Sequence, residues 1–288
     1  MTLEIIPLEA QFGAEVRGLN LCAAIDSQNQ EELRQAWLDH KVLLFRGQVL
    51  SYQEQISFSR IFGELEAPVM KLLKYSQGSG QATSVPPEIT IVSNIKENGK
   101  SIGQLGNGEA FWHSDSNFIA EPLSASLLHA IEIPPQDGNT SFMDMEIVLN
   151  SLPEDLRQAV SGRLCKHDPS LSSTGVRRAD YDEVVDVSKS LGPDHPLVRT
   201  HPDTKQKSLF LGRRPNAYIV GLSVGESEDL LDRLWAHVES QTCIYEHVWQ
   251  VGDLLIWDNR STMHRRDGFD DQHRRRMHKT VLKGDKPI

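Results

Sequence analysis

Cysteine is scarce in this chain. Cys22, Cys165 and Cys243 are odd in number, unclustered and form no CxxC pair. That argues against a disulfide framework or a thiolate-rich structural zinc site, and it fits a reducing cytosol. Long apolar runs are missing too: none approaches the roughly 20 residues that a membrane-spanning helix needs. The N-terminal MTLEIIPLEAQ has no basic segment ahead of an apolar one, so no signal peptide is expected and the chain reads as cytoplasmic. Positive charge is in deficit, with a net charge of −10, which disfavours nucleic acid and anionic membranes as partners. The deficit is uneven. From His264 to Ile288 eight Lys or Arg stand against four Asp, a local +4, so the remainder carries −14.

What is present is a set of short hydrophobic segments. Ser27 is placed to cap a helix through EELRQAWLDH, with Leu33, Trp37 and Leu38 on one face. Ser51-x-x-Glu54 is a capping box before ISFSRIF, which stops at Gly63, and VLLFRG between the two reads as a buried strand. A third helix is expected after Pro153. A fourth is expected at 224 to 240, where Ser223-x-x-Glu226 precedes Leu230, Leu231, Leu234 and Val238 at helical spacing. The remainder is dominated by short strands: ITIVSN, SASLLHAIEI, SFMDM, PLVRTH, SLFLG, CIYEHVW, DLLIWDN and MHKTVL. They are too numerous, and too poorly interleaved with helices, for a doubly wound parallel sheet. A β-sandwich or jelly roll decorated by helices fits better. No repeat or linker divides the 288 residues, so one domain over 1–288 is expected. Two polar segments, 74–88 and 170–195, lack a sustained period and read as lids or loops.

In WHSDSNF, His113 and Asp115 are two apart, and side chains two apart on a strand share a face. Such a pair is as often an ordinary polar contact as half of a metal site. Two histidines and one carboxylate on one side of iron(II) would leave three coordination positions open. The chain has eleven histidines, and the surroundings favour His264, which follows the buried strand DLLIWDN after a short turn. Beyond it, HRRRMHKTVL becomes a strand in which Arg275, Met277, Lys279 and Val281 share a face. If Val281 faces the core, two cations face it as well and must meet anions, because unpaired buried charge is costly. Arginine's fork suits a carboxylate.

His113-x-Asp115, Thr140 within GNTSF, WDNRSTMH ending at His264, and Arg275 eleven residues later together resemble the taurine / 2,4-dichlorophenoxyacetate dioxygenase family. The resemblance runs nearly end to end, from AWLDHKVLLFRGQ through PLVRTHPDT to GDKPI, and is nearer the aryloxyalkanoate branch in WHSDSNF and SLFLGRRPNAYIVGL. It implies a double-stranded β-helix (jelly roll, cupin-like) core and a dioxygenase using iron(II), 2-oxoglutarate and O2. It also implies His113, Asp115 and His264 as the metal ligands and Thr140 with Arg275 on the distal carboxylate of 2-oxoglutarate. Lys279 stands where family members often place an arginine that meets the substrate's anion, and Lys71 is a second candidate contact. Phe118, Phe142, Trp112 and Trp257 flank these motifs and read as packing.

The expected partner is a small anionic organic molecule, an aryloxyalkanoate or related carboxylate that is hydroxylated with release of succinate and CO2; a homo-oligomer is compatible with the sequence. Rival expectations are a taurine, alkylsulfonate or sulfate-ester dioxygenase, and a hydroxylase or desaturase of an amino-acid-like substrate. A zinc hydrolase would not need Thr140 and Arg275. A non-catalytic jelly-roll binding protein would release no succinate.

Overall fold

VLLF contains no polar residue, so a strand built from it must be covered on both faces. In the computed structural model, which describes residues 3–66, 85–179 and 181–288, this is what happens. Lys71 and most of the 74–88 segment lie outside the described residues. Val42–Phe45 belongs to an eight-stranded sheet with the order Glu4–Pro7, Ala14–Arg17, Val42–Phe45, Leu254–Asp258, Ala125–Glu132, Arg276–Leu282, Thr90–Ser93, Gln104–Leu105. A second sheet has the order Ile244–His247, Thr140–Asp144, Thr262–Arg266, Ala110–His113. The second sheet packs on the first through Phe142, whose ring centroid is 5.4 Å from that of Trp257. Two facing sheets flanked by helices are the expected jelly-roll architecture.

Strand alternation sorts the apolar residues into three layers. Leu43 and Phe45 join Leu33, Trp37 and Phe58 under the helices Ser27–His40 and Tyr52–Ser59. Val42 and Leu44 turn the other way, joining Leu255, Trp257 and Met277 between the sheets. On the outer side of the smaller sheet, Trp112, Met143 and Met263 pack under Met145–Asn150, Glu154–Val160 and Val224–Glu239. No helix among the described residues is long and apolar enough to cross a membrane, and all three cysteines are free.

The caps follow the sequence with two differences. Both capping boxes form, at Ser51 with Glu54 and at Ser223 with Glu226. The first helix is capped one residue earlier than expected, by Asp26, whose carboxylate accepts from the Asn29 N–H at 2.9 Å. SFMDM is also only partly a strand. It ends at Asp144, whose side chain accepts from the Glu146 and Ile147 N–H groups and starts the short helix Met145–Asn150.

The outer face of Arg276–Leu282 is covered by the helix Tyr52–Ser59. Thr280 and Ser59 share a hydrogen bond of 2.7 Å, and the His278 ring packs 4.7 Å from that of Tyr52. Burial, with help from Arg276 and His129, pushes the His278 pKa down to about 3. In the unfolded chain a histidine titrates near 6.5. Between these values the unfolded chain binds a proton that the folded chain refuses, so stability falls as pH falls through that window. The urea midpoint is expected to be lower at pH 5 than at pH 7.5. A His278→Gln variant should show a shallower dependence.

Candidate active site

Strand pairing brings the histidines together. Thr262–Arg266 lies between Thr140–Asp144 and Ala110–His113, so His264 sits opposite both Phe142 and His113. The two imidazole centroids are 4.2 Å apart. His264 follows a short turn after DLLIWDN, as the sequence suggested. The turn occupies 259–261, and His264 is the third residue of the next strand. Alternation then turns Met263 outward and His264 inward.

Asp115 corrects an expectation, that it shares a strand face with His113. The strand Ala110–His113 ends at His113, and Asp115 lies in the following turn, with Ser116 at φ 55°. Ser114 is fixed there by its N–H on the Gly212 carbonyl and its Oγ on the Thr262 carbonyl, both at 3.1 Å. The turn, and not strand alternation, sets the carboxylate beside the histidines.

Asp115 Oδ1 is 3.7 Å from His113 Nε2 and 3.9 Å from His264 Nε2, and one ligand atom of each residue lies within 4.8 Å of the others. His113 Nδ1 is 2.6 Å from the Phe111 carbonyl, which can only accept. The proton is therefore on Nδ1, and the Nε2 lone pair is available to the site. Burial pushes the His113 pKa down to about 4 against the pull of Asp115. Burial also takes His264 well below its ordinary value, with His113 adding to the effect. Both rings are thus neutral at neutral pH, as metal ligands must be. Burial alone would raise the Asp115 pKa, but the Lys279 ammonium leads the groups that outweigh it and keep the carboxyl ionised. Two neutral imidazoles and one carboxylate suit iron(II) with open positions.

The second oxygen of Asp115 is occupied. Ser126 Oγ donates to Oδ2 at 2.6 Å and Lys279 Nζ at 2.5 Å, while Asn259 Nδ2 donates to Ser126 at 3.3 Å. Oδ1 is left facing the histidines. Lys279, expected to be free for a substrate anion, is therefore already engaged, although it still lines the cavity. Nothing in the spacing around Ser126 or Asn259 marks them as partners of Asp115.

The cavity measures about 740 Å³, and His113, Asp115, His264, Thr140, Arg275 and Lys279 all line it. Arg275 is 1% exposed. Its Nε and Nη2 are buried with no hydrogen-bond partner among the described residues. Burial pushes its pKa down to about 9, with Arg266 adding to the effect. Among the described residues no carboxylate pairs with this guanidinium, and a fork of that shape fits a carboxylate. From the segment 170–195, Ser172, Thr174 and Val176 form part of the cavity wall. Phe118, which read as packing, also lines the cavity, with the Arg178 and Arg213 guanidinium carbons 4.5 and 5.3 Å from its ring centre.

Residues 4–281 match the family model described as taurine catabolism dioxygenase TauD, TfdA family. The chain belongs to this family. It is 33% identical over 294 residues to the alpha-ketoglutarate-dependent 2,4-dichlorophenoxyacetate dioxygenase of Cupriavidus pinatubonensis, covering 99% of both chains. It is 31% identical to the (S)-phenoxypropionate/alpha-ketoglutarate-dioxygenase of Sphingobium herbicidovorans, covering 98% of this chain and 95% of that one. The crystal structure of AAD-2 in complex with Mn(II) and N-oxalylglycine matches with a TM-score of 0.79 at 31% identity, covering 100% of this chain and 99% of the other. The double-stranded β-helix core expected from the sequence is thus the fold that this member of the family adopts.

Replacing a ligand should remove metal binding without unfolding the sheet. His264→Ala is expected to abolish calorimetric Mn(II) binding. Ser126→Ala, which frees one bond to Asp115, should weaken it about 10- to 100-fold. Unchanged Mn(II) affinity in His264→Ala would remove that residue from the site.

Proposed function

We infer that this chain is an iron(II)- and 2-oxoglutarate-dependent dioxygenase acting on a small carboxylate of the aryloxyalkanoate class. The observation that carries the reading is the buried Arg275 guanidinium, whose Nε and Nη2 have no partner among the described residues, in the same cavity as His113, Asp115 and His264. A zinc hydrolase would not need Thr140 and Arg275 at these positions. His113 Nε2, His264 Nε2 and Asp115 Oδ1 would hold the metal, and Arg275 with the Thr140 hydroxyl would hold the distal carboxylate of 2-oxoglutarate. Bound iron(II) and 2-oxoglutarate supply O2 activation, and the overall reaction yields succinate, CO2 and a hydroxylated substrate. The chain's own part is to bind, orient and exclude water. A cytoplasmic location agrees with the cysteine usage.

Arg275 and Lys279 are four residues apart, about 13 Å between α-carbons if the strand were fully extended. They suit two different anions, one from the cosubstrate and one from the substrate. Lys279 would share its ammonium between Asp115 and the substrate's anion. A lysine is a compact point charge without a planar fork, so it accepts a sulfonate as readily as a carboxylate. That feature supports a second reading, a sulfonate or sulfate-ester dioxygenase on the same core.

Succinate release with iron(II), ascorbate and 2-oxoglutarate, screened across phenoxyacetates, phenoxypropionates, taurine, alkyl sulfates and amino acids, tests both readings. Turnover of an aryloxyalkanoate supports the first, turnover of sulfur oxyanions alone the second, and no substrate-dependent succinate rejects both. In the same preparation Arg275→Ala removes one partner of a buried charged pair, which costs about 2 to 5 kcal/mol. The 2-oxoglutarate affinity should therefore fall roughly 30-fold to several thousand-fold.

Lys279→Met separates the two roles of that lysine. If it meets the substrate, the substrate KM should rise more than about tenfold, the equivalent of roughly 1.4 kcal/mol, while 2-oxoglutarate affinity changes little. If it serves only Asp115, Mn(II) affinity should fall and KM should hold.

A further inference from the structure

Thr140 has one hydroxyl proton and two lone pairs, so by itself it can donate to a ligand or accept from one. In this protein one of the two lone pairs is already used. The Trp249 indole N–H, which can only donate, points at Thr140 Oγ1 at 3.0 Å, and both residues are buried. With the oxygen accepting from the indole, the Thr140 proton is left to point elsewhere. No described residue takes it, and Thr140 lines the cavity together with Arg275.

The indole is itself held from behind. Its ring meets that of His247 edge to face, with centroids 4.5 Å apart and planes at 87°. Both nitrogens of His247 are tied, Nδ1 to the Tyr245 hydroxyl at 2.8 Å and Nε2 to Asp253 Oδ2 at 3.0 Å. Asp253 Oδ2 also accepts from Arg46 at 2.6 Å and from the Gln250 N–H at 2.8 Å. His247 pairs with Thr140 across the sheet, so the column and the hydroxyl share one frame. Trp249 is absent from the cavity lining and would not touch the ligand.

We propose that Trp249 is a positioning residue that takes one Thr140 lone pair, biases the hydroxyl proton toward the cavity, and so makes this end of the cavity favour a carboxylate over an uncharged amide of the same shape. A carboxylate accepts from both Arg275 and Thr140. The distal amide of 2-oxoglutarate would turn an NH2 group toward one of two donors and leave a buried clash of hydrogens. The proposal rests on Arg275 and Thr140 binding the distal carboxylate.

The test measures, on Mn(II)-loaded protein without oxygen, the dissociation constants of 2-oxoglutarate and of its distal monoamide. In Trp249→Phe the hydroxyl is free to rotate and can accept from the amide. Binding of 2-oxoglutarate should weaken roughly twofold to tenfold, the loss of one neutral hydrogen bond's orienting effect. The monoamide should weaken less or not at all, so discrimination between the two falls. On a Thr140→Val background the same change should leave discrimination unaltered. Equal weakening of both ligands in Trp249→Phe, or the same effect with and without the hydroxyl, would mean that Trp249 only packs, and overturns the proposal. If Thr140→Val and Arg275→Ala both leave 2-oxoglutarate affinity unchanged, the underlying reading of the site fails instead. Should Trp249→Phe not fold, the indole N–H proton resonances of the native protein are compared with those of Thr140→Val. One of the five should move upfield and exchange faster with solvent, and the proposal falls if none does.

Discussion

The position of His264 opposite His113 depends on the turn at 259–261 that precedes it, and that turn is locked by one buried carboxylate. Asp258 accepts from the Arg260 backbone N–H at 2.8 Å, from Arg260 Nε at 2.9 Å and Nη2 at 2.7 Å, and from His201 Nε2 at 2.9 Å. Its backbone carbonyl accepts from Thr262 Oγ1 at 2.7 Å. Burial would raise the Asp258 pKa, but Arg260 and His201 hold it below the usual carboxylate range, so the ion persists. The lock matters because side chains alternate on a strand. A slip of one residue would turn His264 outward and put Met263 or Arg265 in its place.

A cavity built from strands then has to hold charge. Arg275 is buried without an anion among the described residues, while the half-buried Asp115 has two donors on one carboxylate oxygen. The two situations are complementary. At Asp115, Lys279 and Ser126 take one oxygen, which keeps the carboxylate ionised and leaves one oxygen for a metal. At Arg275 the Nε and Nη2 donors have no partner among the described residues, which is what the proposed pairing with a bound carboxylate requires.

The same division runs through the polar groups behind the cavity. Some groups behind the cavity are fully bonded: the His113 Nδ1 proton is on a carbonyl and both His247 nitrogens are tied, whereas His264 Nδ1 has no partner among the described residues. Those that face the cavity keep an atom in reserve, as Arg275 Nε and Nη2 do. Ordered groups that need not rearrange when a ligand arrives are what make electrostatic binding strong in a low-dielectric space.

By itself the sequence determined the layers, the caps and the residue types of the site. VLLF and LLIW are apolar at every position because both faces of their strands are covered, and Ser51-x-x-Glu54 and Ser223-x-x-Glu226 cap because their partners are three residues away. Local spacing suffices for such features. It also sufficed for the common face of Lys279 and Val281, set by the two-residue period of one strand. Arg275 lies one residue before that strand, ahead of a register shift between Arg276 and Met277, and still lines the same cavity. Only the tertiary structure decided that Asp115 reaches the histidines from a turn, that His264 is a strand residue, and that Lys279 rests on Asp115, 164 residues away. The pairing of Trp249 with Thr140, 109 residues apart, is of the same kind. These contacts join segments whose proximity comes from the order of strands in two sheets, and no periodicity along one chain segment encodes which strand lies beside which.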